Sequence, residues 1–290
     1  MHFIKMHGLG NNYVLFNLLD ASTEHLDFSR LSQKVSDVRF GIGSDGIILI
    51  CPSERADFKM RIFNADGSEG KNCGNGLRCV AKYLFDHRLA VKPRFTIETL
   101  GGDVVVEVDA ANHQQVRQVT VDMGEPRLLR SMIPMKGDPY STAINEPYAV
   151  DGNIYHLTSV SMGNPHTIFF VDHVAQVPLE KLGPLIEHDD LFPERVNVSV
   201  VHVRNERELD YRVWERGSGL TMACGTGACA AVVAATLNGY INKDERVTVH
   251  LPGGDLTIRW DENGHVWKTG EASYICYGEL DLSPYALNTV

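Results

Sequence analysis

Two cysteines stand at the head of matching glycine-rich stretches. Cys73-Gly74-Asn75-Gly76 and Cys224-Gly225-Thr226-Gly227 share one pattern, 151 residues apart. Each cysteine falls nine residues after a strand-like run, residues 60–64 or 211–215, and each opens a helix-like run. Glycine beside the cysteine lets a ligand approach the backbone closely. The first N–H groups of a helix lack internal partners and carry partial positive charge. Such a site suits a carboxylate. It also favours a thiolate, because a helix N-terminus can bring a thiol pKa from about 8.5 to between about 3.5 and 7.5. Doubling the motif offers what one nucleophilic cysteine cannot. A thiolate on one face of a carbon and a thiol on the other can remove a proton and return one with inversion. Charge developing on a substrate carboxylate would be held by helix-terminal N–H groups. That chemistry is a cofactor-independent racemase or epimerase.

The elements that must position the cysteines repeat as well. Leu209, Tyr211 and Val213 reproduce Phe58, Met60 and Ile62 at an offset of 151, and Gly163-Asn164 reproduces Gly10-Asn11 at 153. Thr248 and Gly253-Gly254-Asp255 reproduce Thr96 and Gly101-Gly102-Asp103 at 152. An ordered series at nearly one offset is an internal duplication. Residues 228–237 are apolar nearly all round, so that helix must be surrounded. After the first motif, Leu77, Val80, Ala81, Leu84 and Phe85 mark a single apolar helix face. The expected architecture is α+β: two pseudo-symmetric domains, each a curved mixed β-sheet wrapped around a central helix, with the two helix starts facing one another.

Smaller elements fill in around these. Residues 1–16 read as two strands about a turn at 7–12. Residues 24–38 read as a helix with Leu26, Leu31, Val35 and Val38 inward. Residues 47–51 form an apolar strand. The turn before it, Phe40-Gly41-Ile42-Gly43-Ser44-Asp45-Gly46, precedes a strand rather than following one, so it is not a dinucleotide loop. Residues 95–100 and 104–108 form a hairpin. Polar residues 109–118 read as a passage between domains, and residues 134–152, rich in proline and glycine, as a long surface loop.

Composition bounds the function. A chain of 290 residues carrying a net charge of −10, with 43% hydrophobic content, reads as a globular protein without a nucleic-acid or membrane partner. No long apolar run begins the chain, so the expected location is cytoplasmic. Six cysteines lack zinc-knuckle spacing, and no metal site is expected. Cys51, Cys79, Cys229 and Cys276 read as small buried hydrophobes.

The chain resembles the diaminopimelate epimerase family over nearly its whole length. The resemblance rests on Lys5-Met6-His7-Gly8-Leu9-Gly10-Asn11, on Phe63-Asn64-Ala65-Asp66-Gly67-Ser68-Glu69 and on the first cysteine motif. It continues through Ser161-Met162-Gly163-Asn164-Pro165-His166, Pro193-Glu194-Arg195-Val196-Asn197, Glu215-Arg216-Gly217 and Ala223-Cys224-Gly225-Thr226-Gly227-Ala228-Cys229. The resemblance implies an isomerase without pyridoxal phosphate or metal, usually a homodimer. It interconverts LL- and meso-diaminopimelate for lysine and peptidoglycan precursor biosynthesis. Cys73 and Cys224 would be its acid–base pair. Gly74, Asn75, Gly225 and Thr226 would bind the reacting carboxylate. Asn11, Asn64, Asn164, Asn197, Glu215 and Arg216 would bind the rest of the substrate, and His166 and Glu215 would tune the thiols. It also implies domains over residues 1–118, completed by 270–290, and over 119–269. Gly46 stands where some members carry a substrate-contacting glutamine.

Other readings share these residues. A proline-racemase-like enzyme would have the same fold and two thiols without needing a distal amine and carboxylate. A non-enzymatic ligand-binding protein would use the cysteines for metal. Each asparagine, taken singly, is also a common turn residue. Glu215 and Arg216 could form a surface ion pair.

Overall fold

The computed structural model describes residues 1–21, 26–71, 73–109 and 116–283. It divides into two compact units, Met1–Val121 together with the chain from Gly270 onward, and Asp122–Thr269. The first unit is a mixed sheet whose strands run in the order Ser273–Glu279, His2–Gly8, Asn11–Asn17, Gly46–Cys51, Phe58–Asn64, Arg94–Thr99, Gly102–Val108 and Gln118–Asp122. The pairs Asn11–Asn17/Gly46–Cys51 and Phe58–Asn64/Arg94–Thr99 are parallel. Parallel neighbours need a crossover, and helices α1 (Phe28–Ser36) and α2 (Gly74–Asp86) supply the two.

The second unit repeats the plan. Its order is Glu146–Val150, Asn153–Ser161, Pro165–Phe170, Asn197–Asn205, Glu208–Glu215, Val247–Leu251, Gly254–Trp260 and Val266–Glu271. Helices α3 (Leu179–Glu187) and α4 (Gly225–Leu237) make its crossovers. The duplication extends to register. Val14↔Ile47 recurs as Thr167↔Val198, and Ile47↔Phe63 as Val198↔Trp214. Phe58↔Ile97 recurs as Leu209↔Val249, and Ile97↔Val104 as Val249↔Leu256. A slip of one residue would turn every side chain to the wrong face, so matched registers mean matched cores.

Each sheet closes around one helix. α4 packs on Asn153–Ser161, Pro165–Phe170, Asn197–Asn205, Glu208–Glu215 and Gly254–Trp260, and every residue from Gly227 to Ala235 is buried. A flat sheet could not present so many strands to one helix. The α+β expectation, a mixed sheet around a central helix, therefore holds in both units.

Helix α2 differs from the single apolar face expected of it. It too is enclosed, with Arg78 and Lys82 buried beside Leu77, Val80, Ala81 and Leu84, while Phe85 is only half-buried. The charges are tolerated because distant segments supply partners. Lys82 Nζ lies 2.9 Å from Asp86 Oδ2, donates to the Val116 carbonyl and sits 5.1 Å from the centre of the Tyr274 ring. Arg78 Nε donates to the Glu271 carbonyl at 3.1 Å, and the Tyr274 hydroxyl to Asp86 at 3.0 Å. A buried charge left without such partners would cost several kcal/mol (roughly 3–5). The returning segment thus completes both the sheet edge and the surroundings of α2.

Other expectations change as well. α1 ends at Ser36, and Val38 is exposed rather than inward. The Asp37 carboxylate accepts the N–H groups of Arg39 and Phe40, turning the chain before another helical turn can form. Part of that expected helix, residues 24–25, lies outside the described residues, as do residues 110–115 of the expected passage. The expected loop over 134–152 contains the strand Glu146–Val150, and Met135, Ala143 and Tyr148 join the core. Pro147 is tolerated because it sits on an outermost strand of that unit's sheet. Cys79 and Cys229 are buried as expected, whereas Cys51 is half-buried and Cys276 exposed. At Gly46 an added Cβ would sit 2.2 Å from the Phe63 carbonyl oxygen, so this backbone accepts no side chain there. Among the described residues, no helix is long and apolar enough to cross a membrane.

Candidate active site

In the first unit, Cys73 is the N-cap of α2, with extended backbone (φ −149°, ψ 103°). Its Sγ accepts the Gly76 N–H at 3.3 Å, the role that a serine or aspartate oxygen usually takes. Gly74 and Asn75 follow as the first helical residues. The Tyr13 hydroxyl lies 3.1 Å from the sulfur and donates to Asn11 Oδ1 at 2.6 Å. Asn75 Nδ2 donates to the same Asn11 oxygen at 3.2 Å. Asn11 Nδ2 in turn donates to Asp45 Oδ2 at 2.7 Å, and that oxygen also takes the Asn12 N–H. Burial pushes the Tyr13 phenol well above its usual pKa, and charge on Cys73 and the hydrogen bond between the two push the same way. Asn64, at the end of its strand and opposite Gly46 in the ladder, donates to Ser68 Oγ at 2.9 Å.

In the second unit, Cys224 caps α4 and is buried. Its Sγ lies 3.5 Å from Thr226 Oγ1, and His166 Nε2 lies 3.1 Å from that hydroxyl. His166 Nε2 is also 3.2 Å from Asn164 Oδ1, which can only accept, so Nε2 carries the proton. Burial holds the His166 pKa down to about 3, and the Arg216 charge acts in the same direction. The imidazole is therefore neutral and reaches the thiol only through Thr226. Asn197 Nδ2 donates to the Pro165 carbonyl at 2.7 Å, and its Oδ1 accepts the Arg216 N–H at 2.9 Å. Asn197 thus pins the Glu215-Arg216 corner to the neighbouring strand. The Arg216 guanidinium donates to the Glu194 carbonyl at 2.8 Å, and Glu215 Oε1 accepts from Thr221 at 2.5 Å.

A helix N-terminus was expected to lower both thiols. At Cys224 the opposite holds: burial, then the nearby Glu215 charge, push its pKa up to about 12. Desolvation of a thiolate in an apolar enclosure outweighs the partial charge of a helix end. Close packing explains the glycines behind each cysteine. A Cβ on Gly76 would meet Ile48 Cδ1 at 2.7 Å, and one on Gly227 the Tyr211 hydroxyl at 1.8 Å. At Gly225 it would meet Lys268 Nζ at 2.6 Å.

The two clusters are built from equivalent positions. Offsets of 151 and 153 carry Asn75 onto Thr226, Asn11 onto Asn164 and Tyr13 onto His166. Sequence reasoning missed Tyr13 and Asp45. The duplication itself held the signal for Tyr13, because His166 shifted back by 153 falls on it.

The fold is shared with solved structures of other proteins. A phenazine biosynthesis protein of the PhzF family from Bacillus anthracis superposes with a TM-score of 0.69 over 97% of this chain and 99% of that one, at 16% identity. A hydroxyproline epimerase from Agrobacterium vitis superposes at 0.64 over 97% and 90%, with 13% identity. At such identities the likeness is one of fold. Sequence is more specific. The family model for diaminopimelate epimerase matches residues 3–129 and 158–275. The diaminopimelate epimerase of Bacillus licheniformis is 56% identical over 97% of this chain and 98% of its own. That of Geobacillus kaustophilus is 57% identical over 95% of each. The chain belongs to the diaminopimelate epimerase family, and it is an enzyme of the isomerase class.

Proposed function

We propose that this enzyme interconverts LL- and meso-diaminopimelate by two-base proton transfer at Cα, serving lysine and peptidoglycan precursor biosynthesis. The observation that carries the mechanism is the duplicated cysteine-capped helix. Cys73 and Cys224 act on opposite faces of one carbon. In one direction the Cys73 thiolate takes the Cα proton and becomes a thiol, while the Cys224 thiol delivers its proton to the other face and becomes the thiolate. The reverse reaction exchanges the roles. A Cys224 pKa near 12 supports its holding a proton before substrate arrives. The negative charge left on Cα spreads into the substrate carboxylate, held by the helix-terminal groups of Gly74, Asn75, Gly225 and Thr226. Asn11, Asn64, Asn164, Asn197, Glu215 and Arg216 bind the distal amine and carboxylate. His166 and Glu215 set the thiol pKa values, His166 through Thr226.

The substrate is supported by the names of relatives more than half identical over nearly the whole chain. The reading includes no cofactor and no metal, a cytoplasmic homodimer, and two epimerase domains over residues 1–118 with 270–290 and over 119–269. Purified enzyme assayed in parallel with diaminopimelate and with proline tests it. Inversion of diaminopimelate alone is expected; inversion of proline would favour the proline-racemase-like reading.

A further inference from the structure

We propose that the Tyr13 hydroxyl is the hydrogen-bond donor that holds Cys73 in its thiolate form, a positioning residue for the acid–base pair. The inference rests on the two-thiol reading of the site. Its basis is a count of protons. Tyr13 has one hydroxyl hydrogen and two acceptors within reach, Asn11 Oδ1 at 2.6 Å and Cys73 Sγ at 3.1 Å. When Cys73 is a thiol, its S–H donates to the phenol oxygen and the phenol donates to Asn11. When Cys73 is a thiolate, the hydroxyl turns to the sulfur. Asn11 Oδ1 is not orphaned by that turn, because Asn75 Nδ2 still donates to it. The thiolate then accepts two hydrogen bonds, from Tyr13 and from the Gly76 N–H. Only one hydroxyl rotates, and the phenol keeps its own proton throughout.

The phenol suits this task because it is buried and does not ionise beside the thiolate. In the second unit the phenol beside the sulfur comes from a different strand: the Tyr211 hydroxyl interacts with Cys224 and lies 3.0 Å from Ser199 Oγ. There the position equivalent to Tyr13 is His166, whose Nε2 reaches Thr226 instead of the sulfur. Other ionisable groups near Cys73 are Asp45 ahead of the strand Gly46–Cys51, and Arg78 and Cys79 on α2 itself. His7, opposite Asn12 in the ladder, accepts the Gly10 N–H. These groups are unchanged in the comparison that follows.

The test measures the pH dependence of iodoacetamide alkylation at Cys73 in full-length Cys224→Ser protein, without substrate. Trypsin releases residues 72–78 as a peptide containing Cys73 and no other cysteine, so labelling is read by mass spectrometry. Adding Tyr13→Phe should raise the midpoint by about one to two pH units, the size expected for a charge-assisted hydrogen bond. Placing 3-fluorotyrosine at position 13 gives a stronger donor of nearly the same shape and should lower the midpoint. This second arm decides the matter if the phenylalanine variant fails to fold. An unmoved midpoint, or both replacements shifting it the same way, overturns the inference. The alkylation needs no turnover, so failure of the two-thiol reading shows up separately, as activity persisting in Cys73→Ala.

Discussion

At the scale of single residues, burial decides more than the helix end does. Cys224 sits at a helix N-terminus, yet its enclosure and the Glu215 charge raise its pKa to about 12. At pH 8 a thiol so raised is almost entirely protonated, so iodoacetamide should label Cys224 more than about a hundredfold more slowly in the folded protein than in urea. Glu215→Gln removes the second cause and should speed labelling several-fold. Equal rates in folded and unfolded protein would contradict this account. His166 makes a different demand. Its native pKa is near 3 against about 6.5 when unfolded, so between those values the unfolded chain binds the proton and the native one does not. Stability should therefore fall as pH drops from about 6.5 towards 3. Urea titrations of His166→Gln should show a flatter decline between pH 6.5 and about 4.5, above the range where most carboxylates titrate. An unchanged slope would mean that His166 is not buried neutral.

At the scale of elements, the glycines at the two helix starts record how closely each helix meets its sheet. Gly227→Ala forces a methyl against the Tyr211 hydroxyl and should destabilise by about 1–3 kcal/mol in urea unfolding. Adding Tyr211→Phe should recover much of that loss by removing the nearest atom. Gly76→Ala meets only the flexible end of Ile48 and should be milder. The sequence disclosed these elements unevenly. The duplicated strands, both cysteine caps and the enclosed α4 were legible because apolar pattern and spacing are local. The enclosure of α2 was not, since Arg78 and Lys82 read as solvent-facing until Glu271, Tyr274 and Val116 arrive from elsewhere in the chain. The sheet edges escaped for a related reason. One unit takes its edge from Ser273–Glu279 and the other from Glu146–Val150, so the repeat does not extend there. Tyr13 was hidden differently: its hydroxyl matters only for what the fold sets beside it.

At the scale of the whole molecule, the proposed homodimer predicts a light-scattering mass near twice 32.2 kDa in solution; a mass near 32.2 kDa at assay concentrations would remove that part of the reading. The central claim is that each thiol serves one face of the substrate carbon, and solvent isotope reports on it most directly. With LL-diaminopimelate in deuterium oxide, the thiol that delivers a hydrogen has already exchanged with solvent. The proton captured by the opposite sulfur can return only to the face it left. Early meso product should therefore carry deuterium at the inverted carbon while remaining substrate keeps mostly protium, and Cys73→Ala and Cys224→Ala should each abolish inversion. Early product retaining substantial protium, or either alanine variant turning over at near the parent rate, would contradict the account.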